Sequence, residues 1–448
     1  MLPRSLPAWL MALLVAACGG PKDERPSVIR VSIDTLRADH VGLYGYKRPT
    51  TPFLDRWAQQ ATVFDQAFTT AAWTLVAHMT MLTGLFPEQH GVIGKKVGLS
   101  PEIPLLAERL RTAGYRTYGL HNGGWIDEKY GFDRGFSVFR EHKGLEEADE
   151  HLRLLLPDFE KDGPFFLFLH VFDVHCGNLA KDDSPYPSPE RYQHLFTEGL
   201  VPLPGPPPER WWHNENVLDE EQRKTLVALY DGGIRHVDDQ LGQWFAELDR
   251  RGLTKGALIV ITSDHGEALG QRGRLDMHGE CWQEGLHVPL VVRHPDGVES
   301  GSRIERPVHL GDLVPTILET VGLPVDPWLP GTSLFGPLPE ARVVYGIKLP
   351  QAFVLKGTRK LVMGDRRAVL EMDLANDPRE LAPRPGDPQA FDALRAEAMG
   401  DHSFPKAIKI ELSQDDLKEL GELGYGGEQE ESLGSGEPRS APQTPKSP

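Results

Sequence analysis

The stretch that decides the fold runs from Ala257 to Gly266, Ala-Leu-Ile-Val-Ile-Thr-Ser-Asp-His-Gly. Its first six residues are apolar or β-branched, which is typical of a short strand buried on both faces. Asp264 and His265 follow almost at once, so the strand delivers polar side chains at its carboxyl end. A strand of this kind predicts a parallel sheet covered by helices on both sides.

Three other segments repeat this arrangement of a buried strand followed by polar residues. They are Ser27–Ile33 ending at Asp34, Arg116–Leu120 ending at His121 and Asn122, and Pro164–Leu169 running into His170, Asp173 and His175. An amphipathic helix from Leu226 to Leu248 lies between two of the strands, so strands alternate with helices as in an α/β fold. Ligands of such sheets bind at the carboxyl ends of the strands, and we expect the site there.

A helix that begins with a hydroxyl residue could add a fifth member to this site. The segment Ala71–Gly84 contains Thr74 ahead of an apolar run that stops at Gly84, with Pro87 just beyond. Unpaired N–H groups and the helix dipole favour negative charge at such an end, which suits an alkoxide or a phosphate. The alternative is that Thr74 only caps the helix.

Composition bounds the class of protein and its partners. The chain has 448 residues and a formal charge of −17, with no cluster of Lys and Arg, so we expect no nucleic-acid partner. We predict a catalytic α/β domain at 28–325 and a C-terminal α+β subdomain at 326–425. The second rests on short strands separated by turns, which predict a small antiparallel sheet. Residues 426–448 are rich in Gly, Ser, Pro and Glu and are predicted to be disordered.

The N-terminus resembles the export signal of a bacterial lipoprotein. Residues 1–17 contain Arg4 and then an apolar stretch too short to span a bilayer. Val15-Ala16-Ala17-Cys18 resembles a lipobox, so we predict a lipid anchor on Cys18 and a tether at 18–27. The protein would be exported and anchored in the cell envelope, in the periplasm at the outer membrane. The alternatives are an ordinary signal peptide or a buried helix start. Export permits a disulfide between Cys176 and Cys281, although two buried thiols are the simpler expectation.

The polar strand ends supply the chemistry of a metal-assisted ester cleavage. Asp34, Asp264 and His265 are ligands suited to one divalent ion such as Zn, Mn, Mg or Ca. Coordination of Thr74 to the same ion would activate its hydroxyl as a nucleophile toward a tetrahedral ester. The remaining candidates, which would hold the ester oxygens or protonate the leaving group, are His78, His175 and His278 as catalytic residues and His121, Asn122 and Arg37 as substrate-binding residues. Each lone histidine could instead be structural.

Several motifs in one order resemble the sulfatase family of the alkaline phosphatase superfamily. They are Ser32–Gly45, Thr51–Asp55, Leu82–Pro87 with His90-Gly91, Thr262–Glu267, Val288–Arg293 and Leu420–Tyr425. The resemblance implies a metal-dependent ester hydrolase with a large mixed or parallel sheet flanked by helices and a smaller C-terminal antiparallel sheet.

The departures from the family pattern concern the nucleophile and one metal ligand. Thr74 stands where active sulfatases place the cysteine or serine that becomes formylglycine, and His78 replaces the family arginine. Thr35 replaces the second aspartate of the usual pair. What remains resembles the single-metal transferases with a threonine nucleophile, whose ligands would map onto Asp34, Thr74, Asp264 and His265. Those transferases carry membrane-spanning helices.

The sequence therefore predicts a hydrolase of a sulfate, phosphate or phosphonate ester that acts through metal-bound Thr74, with a phospho-type substrate favoured. The substrate would be a small anionic ester, a glycan or a lipid. One alternative is a phosphoryl-group transferase acting on envelope lipids or glycans. The other is an inactive protein that keeps the fold and binds an anionic glycan.

Overall fold

The computed structural model describes residues 23–177, 184–203, 218–273, 280–339 and 341–422. The strands of these ranges are β1 (Val28–Ile33), β2 (Thr62–Phe64), β3 (Ala67–Phe68), β4 (Val97–Gly98), β5 (Arg116–His121), β6 (Val138–Glu141), β7 (Phe165–Val171), β8 (Leu258–Thr262), β9 (His287–Val288), β10 (Leu290–Arg293), β11 (Arg303–Ile304), β12 (Val308–His309), β13 (Val343–Lys348), β14 (Gln351–Lys356), β15 (Arg359–Met363), β16 (Val369–Asp373), β17 (Arg384–Pro385) and β18 (Ile408–Lys409). The helices are α1 (Pro52–Trp57), α2 (Thr74–Thr83), α3 (Pro87–His90), α4 (Leu106–Thr112), α5 (Leu145–Phe159), α6 (Glu190–Gln193), α7 (Glu220–Arg250), α8 (Gln283–Leu286), α9 (Leu313–Thr320), α10 (Pro388–Met399) and α11 (Gln414–Glu422).

Eight strands form the large sheet in the order β11-β2-β10-β8-β1-β7-β5-β6. The run β8-β1-β7-β5-β6 is parallel, whereas β10 is antiparallel to both of its neighbours, so the sheet is mixed. β1 lies between β7 and β8 with Ser32 opposite both His170 and Thr262. This register brings the carboxyl ends of β1, β7 and β8 to the same edge, as the polar strand ends predicted.

Helices cover both faces of the large sheet, which explains why its strands are apolar throughout. One core joins β1 residues such as Ile29 and Val31 to α1, α5 and α7. The other core joins Val28 and Val260 to α2, α4 and α9. Burial of apolar side chains on both faces is what makes the central strands uniformly apolar. None of the helices in these ranges combines the length and apolar character that a bilayer crossing needs.

A separate antiparallel sheet, β13-β14-β15-β16-β17, follows the large one. One of its faces packs on Phe68 and Ala72, which precede α2, and on Cys281 and Leu286, which follow the Asp264–His265 loop. Its other face packs on Phe86 and on Phe391 of α10. The small sheet therefore contacts two segments next to the predicted site, the one that leads into α2 and the one that follows the Asp264–His265 loop.

Several sequence predictions are confirmed and others are corrected. The strands and the small sheet are present, but α7 begins six residues before the predicted Leu226, where Asp219 accepts a bond from the Gln222 N–H. Thr74 is not the helix cap, because α2 begins at Thr74 and the cap position belongs to Trp73. Cys176 and Cys281 are both buried and both are in the thiol form. The predicted signal peptide, lipid anchor and tail lie outside the described residues, as does the predicted tether except for residues 23–27, and the domain boundaries stay predictions.

Candidate active site

Three ionisable side chains meet at the carboxyl edge of the large sheet. Asp34 follows β1, and Asp264 and His265 follow β8, and their ligand atoms lie within 4.8 Å of one another. The His265 Nε2 is 3.5 Å from the Asp264 Oδ2 and 4.0 Å from the Asp34 Oδ1. All three side chains are fully buried, so this cluster concentrates negative charge where water cannot solvate it.

The donor set of this cluster fits a divalent cation. Asp34 Oδ1 and Asp264 Oδ2 have no hydrogen-bond partner, although an unpaired buried carboxylate oxygen is costly. The His265 Nδ1 donates to the Gly266 carbonyl at 2.8 Å, which leaves the Nε2 lone pair directed into the cluster. Burial and the neighbouring Asp34 raise the pKa of Asp264 to about 6, and burial also raises the pKa of Asp34. A cation held by these residues would offset both effects.

Thr74 places its hydroxyl against the same cluster. Its Oγ1 lies 3.3 Å from the Asp34 Oδ2 and 3.2 Å from the His265 Nε2. The Thr74 hydroxyl is therefore directed to the Asp34 carboxylate and the His265 imidazole, which both lie outside its own helix. The local capping alternative therefore does not describe this side chain.

His78 lies one turn after Thr74, behind the nucleophile. Its Nδ1 donates to the Thr74 carbonyl at 2.9 Å, and its Nε2 accepts from the Ser32 hydroxyl at 3.0 Å. Burial, His170 and Arg30 hold the pKa of His78 well below its ordinary value, so the ring is neutral. Because both ring nitrogens bond to the protein, the structure gives His78 the contacts of a residue that ties α2 to β1. The predicted catalytic role stays a prediction.

His170 is the functional candidate that the sequence analysis did not select. Its Nε2 donates to the Asp34 Oδ2 at 3.0 Å, and it lies within β7 opposite Ser32. This bond orients the Asp34 carboxylate, as supporting hydrogen bonds commonly do for groups that ligate a metal. The sequence offered only a histidine near the end of an apolar strand, because the register that places His170 opposite Ser32 is a tertiary pairing of β1 with β7.

Arg37 is held by hydrogen bonds to neighbouring segments of the chain. Its Nε and Nη2 donate to Asp39 at 2.8 and 2.7 Å, and its Nη1 donates to the Glu267 carbonyl at 2.9 Å. The Tyr230 hydroxyl donates to the Thr35 carbonyl at 2.7 Å and accepts from the Arg37 N–H at 3.0 Å. These bonds hold the loop after Asp34, where Thr35 has a φ of 55°, a strained value for a β-branched residue. The substrate-binding role of Arg37 stays a prediction.

A buried acid lies on the other side of this loop. The Tyr186 hydroxyl donates to the Glu267 Oε1 at 2.8 Å, and Glu267 is 1% exposed. Burial, above all, raises the pKa of Glu267 to about 8. Glu267 therefore holds a proton at neutral pH, and it adds no further negative charge to the cluster.

Three more predicted residues bond to the backbone after β5 and β7, and one predicted residue is not described. The His121 Nδ1 accepts from the Gly123 N–H at 3.1 Å, and burial and then His170 lower the pKa of His121 to about 3. The Asn122 Oδ1 accepts from the Phe172 N–H at 3.1 Å. The His175 Nδ1 donates to the Cys176 carbonyl at 2.6 Å, and burial lowers the pKa of His175 to about 4 although nearby Asp34 acts to raise it. His278 lies outside the described residues.

Comparison with known proteins places this chain in a family. A family model described as Sulfatase matches residues 26–323. An ulvan-active sulfatase of Formosa agariphila is 23% identical over 351 residues, 71% of this chain and 66% of that protein, so the chain spans slightly less than two thirds of it. An arylsulfatase of Clostridium perfringens is 22% identical over 445 residues, 80% of this chain and 89% of that protein.

A solved structure shows the same fold. The phosphonate monoester hydrolase of Agrobacterium radiobacter superposes with a TM-score of 0.67 at 22% identity, covering 84% of this chain and 96% of that one. The superposition supports the alkaline phosphatase-like fold that the sequence predicted. Because the family model matches more than half of the chain, this protein belongs to the sulfatase family.

Proposed function

We propose that the protein is a metal-dependent hydrolase of an anionic ester that uses Thr74 as its nucleophile, with a phosphate or phosphonate ester favoured over a sulfate. One observation carries this proposal. The Thr74 Oγ1 lies 3.2 Å from His265 and 3.3 Å from Asp34, inside a buried cluster whose donor atoms suit a cation. A threonine that served only the helix would not need to direct its hydroxyl at a carboxylate and an imidazole.

Asp34, Asp264 and His265 would hold the cation, and Thr74 lies against it. When bound, a divalent ion would neutralise the ester oxygens and lower the pKa of an adjacent hydroxyl. His170 would keep the Asp34 carboxylate oriented through its 3.0 Å bond. His78 would fix the start of α2 through the Thr74 carbonyl.

The proposed step exchanges one ester bond for another. A bond forms between the Thr74 oxygen and the phosphorus or sulfur atom as the bond to the departing alcohol oxygen breaks. The Thr74 proton leaves along the hydrogen bond to the Asp34 Oδ2, and the alcohol takes up a proton from solvent. Water then attacks the phosphorus or sulfur atom and gives up a proton to solvent, the bond to the Thr74 oxygen breaks, that oxygen takes back the proton held by Asp34, and phosphate, phosphonate or sulfate is released.

His175 would assist the second half of this sequence. Burial lowers the pKa of His175 to about 4, so its ring is neutral at neutral pH, and because its Nδ1 donates to the Cys176 carbonyl, its Nε2 would accept a hydrogen bond from the attacking water. The same property argues against the acid role that the sequence analysis allowed for it. His121, with Nδ1 accepting a backbone bond, has its Nε2 as the donor of the neutral ring and would bind an ester oxygen.

The substrate class follows from charge and from the relatives. A cationic centre and a neutral donor suit a tetrahedral anion, and relatives of this chain are named for ulvan and for N-acetylglucosamine-6-O-sulfate. We therefore favour an anionic glycan ester over a lipid. The phospho preference rests on the nucleophile, because Thr74 cannot supply the hydrated aldehyde that sulfate ester cleavage uses in this family.

The test compares purified wild type with Thr74→Ala and a control, Thr83→Ala, at the far end of the same helix. The substrates are 4-nitrophenyl phosphate, bis(4-nitrophenyl) phosphate, 4-nitrophenyl phenylphosphonate and 4-nitrophenyl sulfate, with bound metal measured in each sample. Turnover that disappears in Thr74→Ala while metal is largely retained supports the proposal. A metal-loaded wild type that is inert on every ester supports the inactive binding protein. Transfer of the group from Thr74 to an added alcohol supports the transferase.

We also propose that the protein is exported and anchored to the cell envelope through a lipid on Cys18. This proposal rests on the lipobox-like run Val15–Cys18 alone. Metabolic labelling with a fatty-acid analogue in a bacterial host tests it. Label that is present in the wild type and lost in Cys18→Ala supports the anchor, and unlabelled wild type contradicts it.

A further inference from the structure

We propose that Trp73 and Lys348 form a subsite for the non-reacting part of the substrate, a sugar ring that carries a second anionic group. The inference rests on the proposed function, because it extends the same site from the reacting ester toward the rest of the substrate. Neither residue belongs to the metal cluster or bonds to it.

Trp73 lies at the transition from the buried cluster to the surface. It directly precedes Thr74 in an extended conformation, with φ −163° and ψ 126°. Thr74 is 2% exposed and Asp34 is fully buried, whereas Trp73 is partly exposed. The edge-to-face contact with Trp125, with ring centroids 5.1 Å apart at 84°, holds the indole in place. A substrate whose ester reaches Thr74 would therefore extend past this indole.

The small sheet brings a cation to the same indole. The Lys348 Nζ lies 5.6 Å from the centroid of the Trp73 ring, at the carboxyl end of β13. This approach depends on the preceding residues, since the Ile347 N–H donates to the Thr70 carbonyl at 2.8 Å. Gly346 permits the contact, because a Cβ there would lie 2.3 Å from the Thr70 oxygen. β13 is thus bonded directly to the segment that leads into Trp73 and Thr74.

The turn after Lys348 is held from the other side by the segment that follows the metal-ligand loop. The Gln351 Oε1 accepts from the Cys281 N–H at 3.1 Å, and its Nε2 donates to Glu280 at 2.9 Å. The turn is therefore fixed to both chain segments that flank the site, through Thr70 and through Cys281. Fixed positions of this kind are what a specificity subsite requires.

The chemistry of the pair indicates the class of ligand. A half-buried indole offers a flat apolar face for the C–H face of a sugar ring, and an ammonium pairs with a carboxylate, sulfate or phosphate. A second ammonium, that of the exposed Lys95, lies 6.0 Å from the Trp125 ring centroid. A lipid tail would need a continuous apolar surface, whereas here cations lie beside both indoles. The arrangement favours an anionic glycan.

The test measures binding directly, so that it does not depend on turnover. Calorimetry with a heparin-derived tetrasaccharide, which carries carboxylates and sulfates, is run on the metal-loaded protein and on Trp73→Ala, Trp73→Phe, Lys348→Met and Lys348→Arg. The matched control is Lys356→Met, whose ammonium pairs with Glu397 on the exposed side of the same sheet. Inorganic phosphate is titrated in parallel, and melting temperature and metal content verify each variant.

We expect Trp73→Ala and Lys348→Met each to weaken tetrasaccharide binding by roughly tenfold, with binding of inorganic phosphate retained. Trp73→Phe and Lys348→Arg should recover most of the affinity, and Lys356→Met should match the wild type. Equal loss for tetrasaccharide and phosphate, unchanged tetrasaccharide binding in folded variants, or Trp73-dependent binding to phosphatidylglycerol vesicles instead would overturn the subsite. Failure of ester turnover with this binding pattern intact would contradict the proposed function and leave the subsite standing.

Discussion

The Thr74 Oγ1 lies 3.2 Å from the His265 Nε2, although 191 residues of chain separate the two. The helix that begins at Thr74 and the loop after β8 approach from different parts of the sequence and meet over the end of β1. The His265 Nδ1 is committed to the Gly266 carbonyl, so the nitrogen that faces Thr74 carries a lone pair. That nitrogen can accept the hydrogen bond of the Thr74 hydroxyl or ligate a cation. Binding of a cation would therefore change both the stability of the site and the contacts of the proposed nucleophile.

The first prediction concerns pH and cation binding. The pKa of Asp264 is raised to about 6 by burial and by Asp34, so without a cation the folded state holds protons that the unfolded state releases. The contribution of this group to apoprotein stability is therefore fully present below about pH 4 and is lost as pH rises through about 6. A cation competes with the same protons and binds better at pH 7.5 than at pH 5.5.

Thermal unfolding with EDTA and with excess Mn²⁺ at the two pH values measures this effect. A cation at about a hundred times its Kd stabilises the fold by about 2.7 kcal/mol. The rise in Tm should be clearly larger at pH 7.5, and a rise that is equal at both values would show that these carboxyls do not bind the ion.

The second prediction concerns His170. Replacement by Ala removes the 3.0 Å bond to the Asp34 Oδ2, and loss of such supporting bonds typically costs about 10–100-fold in metal affinity. Competition titration with a metal indicator measures the change. His294→Ala is the control, because His294 follows β10, whose end at Arg293 pairs with Ile259, far from the carboxyl end of β8. Unchanged affinity in a folded His170→Ala protein would remove His170 from the site.

The third prediction concerns the contact between the two sheets. Gly346→Ala would place a Cβ 2.3 Å from the Thr70 carbonyl oxygen, so β13 must shift away from the segment before Thr74. We expect a loss of about 1–3 kcal/mol in the free energy of unfolding, measured in urea, together with reduced ester turnover. Gly364→Ala, in a turn of the same sheet with no heavy atom within 4 Å of the added Cβ, should behave like the wild type. Similar values for both variants would show that this contact does not position the site.

Much of the fold and of the metal cluster could be predicted because each depends on local patterns. The apolar strands that end at Asp34 and Asp264 indicated that polar side chains lie at the carboxyl ends of strands. Because parallel strands have these ends at one edge of the sheet, the two side chains were expected to converge there. The small sheet was visible as short strands separated by turns. The antiparallel β10 and the two-residue strands were not, since their pairing depends on distant segments and not on their own composition.

The contacts behind the cluster could not be predicted from the sequence. His170 looks like one more residue of an apolar strand until the β1–β7 register places it beside Asp34. Arg37 stands in a motif beside Asp34, yet its guanidinium binds Asp39 and the Glu267 carbonyl. The spacing of these residues in the sequence does not predict either contact. Trp73 and Lys348 are 275 residues apart and meet only because Gly346 lets a strand of the second sheet reach Thr70. Side-chain partners of this kind depend on tertiary packing.

The central claim is that one cation is held by Asp34, Asp264 and His265 against the Thr74 hydroxyl. Anomalous diffraction from crystals grown with Mn²⁺ tests it most directly. We expect one strong peak about 2.0–2.6 Å from an oxygen of each aspartate and from the His265 Nε2. The peak should be absent from crystals of Asp264→Asn. A fully ordered site with no peak among these side chains, or a peak held by other residues, would contradict the account.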